Sequence, residues 1–197
     1  MHSDKKADFN GNFRRKQMDF IAQGFGILGM AMNCVSYQAK KQRNIIIFQF
    51  FGSLFFMINM FMLGKTMGGL LNIVGILRAL VYMNKDKLKH INLCTAMFFL
   101  LYIASYVATF TVLGTEANVR NFLVEILPLV GMMATNIGFV MRDAKSVRYS
   151  VFVNSPSWLL YNCLGTPAIG GILGECFNLV SAIIALIRQD LKKEKVQ

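Results

Sequence analysis

The sequence predicts an all-α integral membrane protein with seven transmembrane helices, arranged three plus one plus three as two parallel three-helix-bundle repeats. Three observations carry that prediction. First, 55% of the 197 residues are hydrophobic and only 16% are charged, whereas soluble domains run about 45–50% apolar and about 25% charged. Second, the mean hydropathy is +0.47, and the apolar residues fall into long runs with short connections. Third, the basic residues gather in alternate connections. Four cysteines stand at no framework spacing and no heptad persists, so disulfide-scaffold and coiled-coil classes are excluded along with the soluble ones.

A membrane helix needs roughly 20 mostly apolar residues to cross about 30 Å of hydrocarbon. Seven such runs occupy residues 20–37, 45–63, 67–83, 91–113, 122–141, 147–164 and 169–187. No connection is long enough to hold a soluble domain. The chain therefore divides into a basic N-terminal tail (1–19), one membrane domain (20–188) and a basic C-terminal tail (189–197). Arg14, Arg15 and Lys16 before the first run imitate a secretory signal. No small-x-small cleavage site follows and the run is too long for such a segment, so a retained helix is expected.

Lys and Arg in short loops set orientation, because cytoplasmic loops are enriched in them. One side collects Lys40, Lys41, Arg43, Lys85, Lys87, Lys89, Arg142, Lys145, Arg148, Arg188, Lys192, Lys193 and Lys195. The other holds Lys65, Arg120 and the tail bases Lys5, Lys6, Arg14, Arg15 and Lys16. The bias of 13 against 7 predicts an N-terminus outside and a C-terminus in the cytoplasm. It also accounts for the net charge of +11 without a nucleic-acid partner, since these clusters fall where anionic lipid headgroups lie.

A constant shift of 102 residues lays the last three runs over the first three. Gly29-Met30 then falls on Gly131-Met132, Lys40 and Arg43 on Arg142 and Lys145, Ser53 on Ser155, and Gly68-Gly69 on Gly170-Gly171. Loop lengths and basic loops coincide as well. With three runs per unit and one run between, both units insert with the same polarity, and such parallel repeats relate by an axis along the membrane normal. Repeat one is 20–83, the linker helix 91–113 and repeat two 122–188.

This arrangement resembles the SWEET, semiSWEET and PQ-loop group of transporters. Over residues 22–188 the chain more closely resembles the YgjV-type family of bacterial inner-membrane proteins. The segments that carry the resemblance are Ala22-Gln23-Gly24-Phe25-Gly26, Val124-Glu125-Ile126-Leu127-Pro128-Leu129-Val130-Gly131, Ile169-Gly170-Gly171 with Glu175, and Arg78. The resemblance implies a bacterial inner-membrane location and brings no substrate. From the transporter group the chain departs at the end of run one, where Tyr37-Gln38 stands in place of a Pro-Gln pair. Pro128 and Pro156 do not match that group's prolines residue for residue.

A charge at mid-bilayer costs at least about 2.5–3.5 kcal/mol, so ionisable residues there call for partners or water. At 1.5 Å per residue, Arg78 lies roughly 16 Å and Glu175 roughly 10 Å from the outer face, on the equivalent third helices of the two repeats. A cross-repeat ion pair is one expectation; a snorkelling Arg78 with a locally satisfied Glu175 is the other. Glu125 lies nearer the outer mouth. Gln23, Asn33, Asn72, Asn162 and Asn178 are amides, with Gln49, Asn59 and Asn136, that either glue helices together or line a path. With Trp158 and the tyrosines they suit a hydroxylated or zwitterionic solute, while Trp158 also reads as an interfacial anchor.

No metal set or cofactor motif is expected. His2 and His90 stand apart, the cysteines read as small buried hydrophobes, and no phosphate loop, dinucleotide pattern, nucleophile elbow or zinc-protease motif occurs. The expected function is movement of a small polar solute through a cavity lined by Gln23, Asn33, Asn72, Arg78, Glu125, Trp158, Asn162, Glu175 and Asn178. The alternative is a non-transporting scaffold, assembly factor or lipid-binding protein of the same fold, and enzymatic chemistry ranks last. Expected partners are the bilayer with its anionic cytoplasmic headgroups, the solute, and as a candidate a second copy of the chain.

Overall fold

The computed structural model of the chain describes residues 2–141, 143–164 and 168–191, with side chains described between 17 and 190. Among them are seven α-helices and no strand. They are α1 (His2–Gln38), α2 (Gln42–Met62), α3 (Thr66–Tyr82), α4 (Ile91–Thr111), α5 (Val119–Val140), α6 (Ala144–Leu164) and α7 (Ile169–Ala185). A 3₁₀ turn (Lys85–Lys87) leads into α4, and a π-helical turn (Leu186–Leu191) prolongs α7. The expected tail at 1–19 continues into α1, which is helical from His2. The expected basic residues Arg142, Lys192, Lys193 and Lys195 lie outside the described residues.

Local sequence explains the helix ends. Gly64 (φ 70°) and Gly114 (φ 73°) take left-handed backbone just past α2 and α4, where an L side chain would be strained. The Asn118 side chain accepts from the Asn121 amide at 2.8 Å and starts α5. Asp143 does the same for Ser146 at 2.7 Å before α6.

Five helical segments are long and apolar enough to cross a membrane: Gln17–Gln38, Gln42–Met62, Ile91–Thr111, Val119–Val140 and Ile169–Asp190. The sequence expects seven. The difference has a physical cause in each case. α3 is apolar but only 17 residues long, about 26 Å at 1.5 Å per residue. α6 has full length, but Arg148, Asn154, Ser155, Ser157 and Asn162 dilute its hydropathy. Those residues turn inward rather than toward the exterior, so its polarity records what the bundle encloses.

Six helices form a ring in chain order. α1 packs on α2, α2 on α3, α5 on α6 and α6 on α7, while α7 closes on α1 and α3 on α5. α4 stands outside the ring against α3 and α5. The α1–α7 seam is tight because glycines meet there: a Cβ on Gly170 would come 3.3 Å from the Gly26 backbone. The exterior is apolar, and the interior mixes an apolar core (Ile45, Leu71, Phe139) with buried polar groups. Phe20, Leu100 and Val119 are largely exposed, whereas Asn59, Asn136, Arg148 and Ser155 are sealed inside. An apolar exterior is what hydrocarbon as solvent requires.

Candidate functional site: a polar cavity inside the helix ring

Each of the six ring helices turns polar or aromatic side chains toward one central cavity. Asn33 and Tyr37 come from α1, Gln49, Ser53, Phe56 and Met60 from α2, and Asn72 and Arg78 from α3. Met132 and Thr135 come from α5, Asn154, Trp158 and Asn162 from α6, and Glu175 from α7. Helical periodicity explains the grouping: 154, 158 and 162 stack on one face of α6, as 49, 53, 56 and 60 do on α2. The space open to the centre of a water-sized sphere is about 50 Å³. At about 10–15 Å³ per water on that measure, it has room for roughly three to five waters.

Arg78 is 3% exposed. Its Nη1 donates to the Tyr102 hydroxyl and to the Met132 carbonyl, both at 3.1 Å. One face of the guanidinium lies over the Phe139 ring, 4.5 Å from its centroid. Its Nε is buried without a partner. The Glu175 Oε2 accepts from Asn178 Nδ2 at 3.3 Å, and Asn178 Oδ1 in turn faces the Cys34 thiol at 3.6 Å. The expected direct pair between Arg78 and Glu175 does not form: the two face the same cavity, and each is met by neutral groups. Asn33 Oδ1 and Asn154 Oδ1 are also buried and unpartnered. Gly52 makes room for the first, since a Cβ there would come 2.3 Å from it.

Hydrogen bonds tie the helices together at both ends of the bundle. At the end where the 1–2, 3–4 and 5–6 connections meet, Arg148 is 1% exposed and fully engaged. It bonds both Asp190 oxygens (2.9 and 2.7 Å), the Tyr37 and Ala39 carbonyls (3.0 and 2.8 Å) and Gln189 (3.0 Å). Gln38 adds bonds to Ser181 and accepts from Arg188. Lys85 donates to Gln42 and to carbonyls at the end of α5. Arg148, read from sequence as a loop base facing headgroups, is instead a buried tie.

At the opposite end Lys65 Nζ donates to Asn162 Oδ1 at 3.2 Å and lies 4.8 Å from the Tyr161 ring centroid. Burial pushes the Lys65 ammonium down to about 8, with the Glu125 carboxylate partly offsetting it. Lys65, Glu125 and Tyr161 line a separate recess beside Gly64, Thr66 and Thr115.

Of the sequence-expected site residues, Asn33, Asn72, Arg78, Trp158, Asn162 and Glu175 come together at the cavity. Gln23 does not reach it; its Oε1 accepts from the Gly170 amide at 2.9 Å and ties α1 to the start of α7. Glu125 belongs to the outer recess, and Asn178 supports Glu175 from behind. Asn59 and Asn136 are glue, bonded to the Ala22 and Thr95 carbonyls. Tyr37, Gln49, Ser53, Phe56, Met60, Met132, Thr135 and Asn154 line the cavity as well, outside the expected set. For Asn154 the signal was present, four residues before Trp158 and eight before Asn162.

An apolar helix bundle around an enclosed, partly unsatisfied polar cavity defines an integral membrane protein rather than a soluble helical domain. The chain belongs to the Imp-YgjV family of bacterial inner membrane proteins, whose family model matches residues 20–193. No curated protein and no solved structure matches it.

Proposed function

We propose that this protein is a transporter or facilitator of a small polar solute, which occupies the central cavity and leaves when one end of the bundle opens. The observation that carries this reading is the cavity itself. Buried polar atoms without partners cost about 1–3 kcal/mol each, yet Arg78 Nε, Asn33 Oδ1 and Asn154 Oδ1 all belong to side chains that line this one cavity. A scaffold would gain from filling that space with apolar side chains. At roughly three to five waters in volume, the cavity suits a very small occupant.

The reading includes the two-fold arrangement of α1–α3 and α5–α7 with α4 as linker. Under the 102-residue shift, cavity residues pair: Asn33 with Thr135, Phe56 with Trp158, and Met60 with Asn162. Phe56 packs on Gly29 as Trp158 packs on Gly131, which is its shifted equivalent. The seams α1–α7 and α3–α5 exchange under the same operation. A two-fold relation of this kind suits a PQ-loop-like transporter. We further read α3 and α6 as the remaining spans, the N-terminus as outside, the C-terminus as cytoplasmic among anionic headgroups, and the protein as non-enzymatic.

Osmotic re-swelling of proteoliposomes tests the central claim. Vesicles holding the protein should re-swell faster than empty ones with at least one of glycerol, glycolate, ethanolamine or glycine. Equal rates for all four would overturn it. A C-terminal reporter active only in the periplasm would overturn the orientation.

A further inference from the structure

The polar groups in the cavity are not a generic wet lining, and their chemistry narrows the occupant. Arg78 has five N–H donors in a planar fork. Two are spent from Nη1, on Tyr102 and Met132. The adjoining edge, formed by Nε and Nη2, makes no hydrogen bond to the described protein, and Nε is sealed from outside. That edge is the side of a guanidinium that accepts a planar carboxylate through two parallel bonds. The opposite face is held by Phe139, so the fork cannot swing away. No carboxylate among the described residues answers it, although Glu175 lines the same cavity.

We propose, resting on the transport reading above, that the cavity takes a small zwitterion of amino-acid type. Its carboxylate lies on the Nε/Nη2 edge of Arg78 and its ammonium group on Glu175. Three considerations favour a zwitterion over a simple anion, cation or polyol. A bare anion would leave Glu175 unanswered, and a bare cation would leave Arg78 so. A neutral polyol would leave both charges buried in low dielectric without a counter-charge. The zwitterion answers both and adds no net charge to the interior. The cavity volume admits a molecule the size of glycine.

The protein supplies its own reporter, because Trp158 is the single tryptophan and lines the cavity. Purified full-length protein is titrated with glycine, glycolate, ethanolamine and glycerol at neutral pH while tryptophan fluorescence is followed. Glycine should give a saturable change at least about tenfold tighter than any of the other three. Arg78→Lys keeps the charge but loses the fork, and should weaken glycine about tenfold or more with glycerol unaffected. Glu175→Gln should bring glycine down to the level of glycolate. Glycolate or ethanolamine binding as tightly as glycine in the wild type would overturn the zwitterion, with no variant needed. Saturable glycerol alone would overturn it while leaving a solute cavity in place. Glycine binding without any re-swelling would instead sink the transport reading and leave the ligand assignment standing.

Discussion

Two buried arginines sit in this bundle under opposite terms. Arg148 spends all its donors on Asp190, Gln189 and two carbonyls of the α1 end. Arg78, nearly as buried, spends only Nη1 and has no acidic partner among the described residues. A buried charge is costly unless paired and hydrogen-bonded. A fully answered guanidinium therefore reads as structure, and a half-answered one, facing a cavity, reads as a binding group. The difference teaches that burial alone does not separate the two roles; the count of unused donors does.

The comparison is most directly broken at Arg148. Arg148→Ala strands Asp190 and opens the α1–α6–α7 end, and should cost roughly 3–5 kcal/mol. Thermal unfolding in detergent measures it. Arg148→Met with Asp190→Leu should recover most of that loss, since an apolar replacement of a buried pair is often neutral. A double variant as unstable as the single would mean that the carbonyl bonds, not the ion pair, hold this end.

Arg78→Met removes a charge that makes two hydrogen bonds and one ring contact among the described residues, and should lower stability by about 1–2 kcal/mol while abolishing solute binding. A loss as large as that of Arg148→Ala would erase the contrast. The α1–α7 seam clamped by Arg148 at one end relies on glycine at the other. Gly170→Ala should cost about 1 kcal/mol by pushing that seam apart. Gly24→Ala, with open space around it, should be neutral or stabilising by up to about 1 kcal/mol.

Lys65 is a third buried cation, and its effect depends on pH. Its value near 8 lies below the ordinary 10.5, so the unfolded chain binds more protons than the native one between those pH values. Stability contributed at this site is therefore lowest below pH 8 and rises as pH climbs from about 8 to 10.5. The wild-type unfolding temperature should gain on that of Lys65→Met across that window. A flat difference would show that Lys65 is solvated at its recess.

By itself the sequence determined the membrane class and seven helical segments close to their observed bounds. The alternation of basic connections is legible there too, and so is the set of polar residues on apolar runs from which Asn33, Asn72, Arg78, Trp158, Asn162 and Glu175 meet at the cavity. These follow from hydropathy and helical period, which are local properties of the chain. Tertiary structure alone decided partners. Gln23 and Gln38 lie on one helix, yet one caps α7 and the other holds Ser181 and Arg188. Arg148 counts as a loop base until Asp190, 42 residues away, meets it at 2.7 Å. Arg78 and Glu175 share a cavity without touching. Pairing of this kind depends on how far each helix is rotated and which neighbour it finds, and a hydropathy pattern fixes neither when both the lipid face and the ring seams are apolar.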